Sequence, residues 1–384
     1  MRRLPASTRT FASRLGVSPR TLSTVLLSGL LLLTIAGVVA AVRPFDPVRV
    51  EVVQAGLDHP WDIAFAADGR MLVTERAGRV RVFAGPARDD PLLHTATVPD
   101  VRAELESGLM GIAVHGTDVF VCASRDAGGD WKVELLHSTL ADDGSLAAFT
   151  PLPIGEQTGE PTGGPRHQGC AVEVDATDHL WFSVGDANQP AGANVAQDPH
   201  RLNGKILRVK LDGSTPDDNP FGNEVFSLGH RNPQGLAFAA DGSAWAVEHG
   251  TEENDEINHL RAGGNYGYPC FTGADTPGPI PGGCSAAAAY LPPAWASGSP
   301  TLATSGATLL AGSSWRDWQG DLMVSTLKEE DLRRFSVDGD TATLEETLLD
   351  GRFGRLRAMV IGPDGALYVS TANGGDDRIL RVTR

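Results

Sequence analysis

Trp61-Asp62-Ile63-Ala64-Phe65, Asp68-Gly69, Met71-Leu72-Val73-Thr74, Gly78, Arg79-Val80-Arg81-Val82-Phe83: within the span 61–83 lie three apolar runs of strand length joined by glycine turns. Asp-Gly between two such runs is a hairpin signal. The same unit returns five times. The second copy begins Gly111-Ile112-Ala113-Val114 and runs on through Val119-Phe120-Val121-Cys122. The third is Cys170-Ala171-Val172, Leu180-Trp181-Phe182-Ser183-Val184 and Ile206-Leu207-Arg208-Val209. The fourth is Leu236-Ala237-Phe238, Asp241-Gly242, Ala244-Trp245-Ala246-Val247 and Glu256-Ile257-Asn258. Ala307-Thr308-Leu309-Leu310, Asp321-Leu322-Met323-Val324 and Leu332-Arg333-Arg334-Phe335 form the fifth. Ala358-Met359-Val360, Asp364-Gly365, Leu367-Tyr368-Val369 and Ile379-Leu380-Arg381-Val382 form the sixth.

Units of about 45 residues or more, with four short strands each, read as propeller blades. No stretch beyond the first residues reads as a helix. The expectation is an all-β, six-bladed β-propeller with four-stranded antiparallel blades. The run Val48 to Val53 has no unit of its own and should complete the last blade, closing the ring. Long insertions at Gln189 to Asn203 and Pro269 to Pro300 should gather on one face and build a site.

Residues 1–42 stand outside this pattern. They carry Arg2, Arg3, Arg9, Arg14 and Arg20 and no acid, followed by 22 uncharged residues from Thr21 to Val42. A basic start and an apolar run make an export signal, and the run is long enough to span a bilayer. Val39-Ala40-Ala41 offers a cleavage site, so a cleaved peptide and an uncleaved anchor both stay open. Either way residues 43–384 are expected outside the cytoplasm, with any membrane contact confined to the N-terminal segment. Removing the five arginines leaves 27 basic against 48 acidic residues, a balance of −21. Such a chain repels phosphate backbones, which argues against a nucleic-acid partner.

All four cysteines lie in the exported part, where an even count reads as disulfides. Cys270 and Cys284 bracket a Gly/Pro-rich loop and are paired here; closing it is worth about 3 kcal/mol. Cys122 and Cys170 then pair by elimination, with two free buried thiols as the alternative.

The loop Gly229-His230-Arg231-Asn232-Pro233-Gln234-Gly235 joins two apolar runs. Its Arg231 offers a planar fork of donors for a carboxylate or phosphate. Taken alone it also reads as a turn arginine capping a carbonyl. His167, on the glycine-rich loop before Cys170, suits a general base, or is a surface histidine. Asp186 ends the next strand and could orient it, or serve only its turn. Glu248-His249-Gly250-Thr251 and the acids after it offer hard oxygens for Ca²⁺, without EF-hand spacing, or a solvated loop. Lys328, Arg355 and Arg357 lie near strand ends; together with Arg231 they would suit a small polyanion. There is no G-x-G-x-x-G opening a βαβ unit, no Walker A loop and no zinc spacing.

Beyond these single signals, the sequence resembles the soluble glucose and aldose sugar dehydrogenases, the glucose/sorbosone dehydrogenase family. The likeness runs from about Leu57 to the C-terminus. It rests chiefly on Leu228 to Phe238, on Asp255-Glu256-Ile257-Asn258 and on Gly263-Gly264-Asn265-Tyr266-Gly267. Asn203-Gly204-Lys205, Asp218-Asn219-Pro220 and Gly108-Leu109-Met110-Gly111 add to it. The resemblance implies a six-bladed propeller using pyrroloquinoline quinone (PQQ) and Ca²⁺. It implies His167 as the base for the anomeric hydroxyl, Asp186 as its support, and Arg231 and Asn232 at the quinone. Thr301, Lys328, Arg355 and Arg357 would surround the PQQ carboxylates. Gly250 and Thr251 would hold the catalytic Ca²⁺ through carbonyls, and Glu256 and Tyr266 a second calcium region. Glu106 and Gln168 would meet the sugar. The implied activity is oxidation of an aldose to its lactone, with electrons leaving to an external acceptor. A calcium-dependent lactonase on the same fold is the alternative, but it has no use for a cationic cradle.

Three features depart from the family pattern. Arg166 precedes the histidine where the glucose enzymes have an acid. Thr251 stands where proline is usual. The 269–300 insertion carries its own cysteines, so substrate choice does not carry over.

Overall fold

A computed structural model describes residues 47–155, 162–189, 194–273 and 289–384. The N-terminal 1–42 segment and Cys284 lie outside the described residues. Within them, six four-stranded antiparallel sheets form. Blade 1 is β2 (Pro60–Phe65), β3 (Met71–Glu75), β4 (Arg79–Phe83) and β5 (Leu92–Thr97). Blade 2 is β6 (Leu109–His115), β7 (Asp118–Ala127), β8 (Asp130–Thr139) and β9 (Thr150–Pro151). Blade 3 is β10 (Gly169–Val174), β11 (His179–Val184), β12 (Lys205–Lys210) and β13 (Val225–Leu228). Blade 4 follows with β14 (Pro233–Phe238), β15 (Ala244–Glu248), β16 (Glu256–Leu260) and β17 (Trp295–Ala296). Blade 5 has β18 (Thr304–Leu309), β19 (Leu322–Thr326), β20 (Leu332–Asp338) and β21 (Thr341–Leu348). Blade 6 has β22 (Leu356–Ile361), β23 (Leu367–Thr371) and β24 (Asp377–Thr383), and its outer strand is β1 (Arg49–Leu57).

The first strand of each blade packs on the first strand of the next, and β22 returns to β2. That makes the ring. β1 pairs antiparallel with β24, Val50 opposite Val382, so the last blade is built from both ends of the chain, as the run from Val48 required. The Asp-Gly hairpins form as expected. Asp68, Asp241 and Asp364 each accept the backbone N–H two residues on, at 3.1, 2.9 and 3.1 Å, which fixes the turn locally.

A blade is covered on both faces by its neighbours, so its second strand is buried on both faces and does not alternate, with polar residues only toward its end. β3, β15, β19 and β23 are buried at every residue. The core is correspondingly divided into six clusters, one at each blade junction. Each fully buried Leu, Val or Phe in them contributes about 1.5–3 kcal/mol. Cys122 of β7 and Cys170 of β10 are joined by a disulfide across the junction of blades 2 and 3, with Cα atoms 5.5 Å apart. Cys270 is buried and disulfide-bonded.

Candidate active site

The loop between β13 and β14 is built on one buried carboxylate. Glu248, at the end of β15, accepts His230 Nδ1–H at 2.8 Å on one oxygen and the Arg231 N–H at 2.7 Å on the other. The His230 ring is fully buried, and its Nε2 meets the Ser227 hydroxyl at 2.9 Å. Gly229 holds a left-handed φ of 81° against Asn265; a Cβ there would lie 2.3 Å from the Asn265 side-chain oxygen. With its backbone fixed, Arg231 projects sideways. Nη1 donates to the His249 carbonyl at 3.2 Å, and Nη2 lies 3.2 Å from His167 Nε2.

His167 is buried, and its Nδ1 lies 2.7 Å from Asp186 Oδ1. A carboxylate only accepts, so Nδ1 is the donor to it, and the Arg231 Nη2 donor at 3.2 Å makes Nε2 the acceptor nitrogen. Asp186 is held in turn: its Oδ1 accepts the Asn188 N–H at 2.8 Å, and its own N–H donates to Arg231 O at 2.8 Å. The Tyr268 hydroxyl faces both Asp186 and Arg231; burial, then the Asp186 charge, holds its pKa far above the usual phenol value. The His–Asp–Arg constellation is therefore assembled from blade 3 and the loop entering blade 4.

Asp255 supports the neighbouring wall. Fully buried, it accepts the Gly250 N–H at 2.7 Å and the Leu302 and Ala303 N–H groups at 2.7 and 2.6 Å. This pins the turn after β15 to the segment before β18. The result is a cavity of about 200 Å³ lined by Glu106, Arg166, His167, Arg231, His249, Gly250, Thr251 and Thr301, among others. A second cavity of about 280 Å³ holds Trp61, Arg76, Arg355 and Arg357, and Glu106 lines both. Arg357 stacks on the Trp61 ring at 3.7 Å and donates to Gln234 Oε1 at 3.2 Å. Burial, then repulsion from Arg355 and Arg76, pushes its pKa down to about 9. No carboxylate pairs with it directly among the described residues, so the guanidinium is short of an anion.

Two buried polar atoms at this place also lack a partner among the described residues, Arg231 Nε and His249 Nε2. Burial holds the His249 imidazole below its usual pKa and therefore neutral. Gly250 and Thr251 line the cavity, and their carbonyls accept no hydrogen bond from the described residues, which leaves them as hard oxygens without a donor. No cluster of three or more His, Cys, Asp or Glu side chains could hold a metal among the described residues. The site thus offers carbonyl oxygens for a hard cation and unpaired cations for a small polyanion.

The other expected residues are placed as follows. Asn232 is buried, and its Oδ1 accepts from Gly169 N–H and Gln234 Nε2, both at 3.1 Å. Glu106 binds Arg166 at 2.7 Å and the His167 N–H at 3.2 Å. Gln168 is not brought to the cavity: it is buried and braces its own loop through Gly164 N and Arg166 O. Lys328 is exposed, with its N–H on Leu302 O. Glu256 and Tyr266 line neither cavity. Glu256 is buried beside Glu248 and accepts from Gly273 N–H at 2.6 Å; burial pushes its pKa up to about 8. The Tyr266 hydroxyl donates to His259 O and accepts the Arg261 N–H, and its ring stacks on His230. Trp61, Arg76, Gln234, His249, Asp255 and Tyr268 were not singled out from sequence. Asp255 stood inside a longer motif, with nothing in the sequence to mark its role.

Residues 57–381 match the family described as Glucose / Sorbosone dehydrogenase. The chain belongs to the glucose/sorbosone dehydrogenase family. The aldose sugar dehydrogenase of Escherichia coli K12 is 34% identical over 356 residues, covering 88% of this chain and 93% of that protein. The quinoprotein glucose dehydrogenase B of Acinetobacter calcoaceticus is 28% identical over 253 residues, covering 58% and 52%. The PQQ-bound aldose sugar dehydrogenase of Streptomyces coelicolor has a TM-score of 0.71 at 26% identity, over 89% of this chain and 99% of that one. The glucose/sorbosone dehydrogenase assignment spans every blade, and the loops that build both cavities fall inside it.

Proposed function

We propose that this protein is an exported PQQ-dependent aldose dehydrogenase that oxidises the anomeric carbon of a sugar to the lactone. The observation that carries this reading is the pairing of a supported base with unpaired cations: His167 on Asp186, beside Arg231, Arg355 and Arg357. A hydrolase would use the first half and leave the second without purpose. The family membership and the PQQ-bound neighbour support it.

Arg231, Asn232, Thr301, Arg355 and Arg357 would hold PQQ, with Lys328 reaching in from the exposed edge. The free Gly250 and Thr251 carbonyls would hold Ca²⁺. Bound there, PQQ supplies the two-electron acceptor for the anomeric hydride, and Ca²⁺ a Lewis acid beside it. The protein's own work is proton handling and alignment. His167 Nε2, with its lone pair in the cavity, takes the hydroxyl proton. Asp186 stabilises the imidazolium that results, since the two lie 2.7 Å apart in a buried setting. Arg231 sits 3.2 Å from Nε2, where its charge would stabilise negative charge developing on oxygen. Glu106 and Arg166 form the sugar-side rim. The Cys122–Cys170 disulfide suits an oxidising compartment, in keeping with residues 1–42 as an export signal or anchor.

The test is the product. With PQQ, Ca²⁺ and a dye, an aldose should yield its lactone with two electrons passed to dye per sugar. A protein that instead hydrolyses added lactone, with or without PQQ, is the lactonase, and the proposal fails.

A further inference from the structure

The segment His167-Gln168-Gly169-Cys170 carries the base; its own blade holds it by the Ala187 N–H on His167 O and the Gly185 N–H on Gln168 O, both at 3.1 Å, and the Gly169 N–H donates to Asn232 Oδ1 at 3.1 Å. Three of its four residues have left-handed φ: His167 at 55°, Gly169 at 67° and Cys170 at 69°. Two of those are not glycine, and such backbone persists only where its surroundings over-determine it. The ladder to β11 is also broken here, because pairing jumps from Gly169–Val184 to Val172–Phe182. The Gln168 side chain braces the loop against itself.

Further contacts come from blade 2 and sit at both ends of the segment. At one end, Glu106 accepts the His167 N–H at 3.2 Å. At the other, Cys170 is bonded to Cys122. Cys122 lies in the middle of β7, paired opposite Leu135 of β8, while its neighbour Val121 pairs with Ile112 of β6. It is therefore a rigid anchor. Between them β6 presses close: a Cβ on Gly111 would lie 2.2 Å from the Cys170 carbonyl oxygen. Both cysteines are fully buried, so the bond is a permanent part of the folded protein.

We infer that the Cys122–Cys170 disulfide is a positioning element of the active site: with Glu106 it clamps the His167 segment to blade 2, and closing it completes the base. The inference rests on His167 acting as the base. It makes full activity depend on folding where disulfides form, since a reduced chain would keep the propeller but let the segment relax.

The test is Cys122→Ala with Cys170→Ala, studied as apoprotein and after loading with PQQ and Ca²⁺. In the apoprotein, the His167 Nδ1–H held by Asp186 should give a low-field proton resonance in the wild type, and this should broaden or move in the double variant. After loading, PQQ half-saturation and sugar KM should stay within about threefold while kcat falls roughly 10- to 100-fold, as for a base displaced by about 1 Å. A lower melting temperature with kcat and the resonance unchanged would make the disulfide a plain cross-link and overturn the inference. Should the double alanine variant not fold, Cys122→Val with Cys170→Ala restores the lost volume and keeps a small residue at the left-handed position; the same readouts decide. A wild type without aldose oxidation would remove the functional reading, while the apoprotein resonance still decides whether the disulfide sets the His167–Asp186 contact.

Discussion

Replacing Asp186 by Asn changes one charge and almost no volume. The carboxylate is buried, accepts His167 Nδ1–H at 2.7 Å and the Asn188 N–H at 2.8 Å through the same oxygen, and faces Tyr268 on its other side. An amide oxygen can keep both bonds, so the ring should stay in place. What goes is the anion that stabilises the imidazolium once the proton has moved. A hydrogen bond to a charged group is worth about 1.5–3 kcal/mol, or roughly 10- to 150-fold in rate. If the amide turns and offers its NH₂ to Nδ1, the wrong tautomer forms and the loss approaches the full general-base contribution, about 10⁴-fold. We expect kcat to drop by roughly 10²-fold within those bounds. Asp186 lines neither cavity, so PQQ half-saturation should hold within about twofold. The assay is dye reduction at saturating aldose and Ca²⁺ across a PQQ titration. A variant turning over within about threefold of wild type would refute the support role.

Two other perturbations probe different parts of the molecule. Arg357→Ala removes a cation that lacks a paired anion and should raise the PQQ concentration for half-activation about 10- to 100-fold, checked by PQQ titration. Glu173 and Asp62 face each other in a narrow axial space of about 30 Å³, and burial, then the Asp62 charge, pushes Glu173 up to about 8. The folded protein therefore keeps that proton while the unfolded chain loses it near pH 4.3, so this group's contribution to stability falls as pH rises from about 4.3 to 8. Glu173→Gln should flatten the change in denaturation midpoint between pH 5 and 8.5; an unchanged pH slope would speak against it.

The blades were legible because doubly covered strands carry apolar runs that do not alternate, such as Met71 to Val73 or Leu367 to Val369. The outer strands were not. β5 and β21 face solvent and lose the pattern, and β9 and β17 are two residues long. The closing strand was visible because Val48 to Val53 had nowhere else to go. At the site, His167, Asp186 and Arg231 carried recognisable chemistry on recognisable loops. Asp255 and Glu248 did not, since an acid that satisfies backbone N–H groups looks like any loop acid until the chain is folded. Trp61 read as core, and only the ring brings it under Arg357 from the far end of the sequence. Gln168 shows the converse: a residue beside the base whose side-chain bonds return to its own loop.

The central claim is that the cationic cavity takes PQQ with Ca²⁺ and drives sugar oxidation. Purified apoprotein should be titrated with PQQ at fixed Ca²⁺, then assayed for dye reduction with a panel of aldoses, and the series repeated with chelator. The account predicts a saturable PQQ-dependent activity on at least one aldose that disappears when Ca²⁺ is withdrawn. Dye reduction that never responds to PQQ, at any Ca²⁺ concentration and with any aldose, would contradict it.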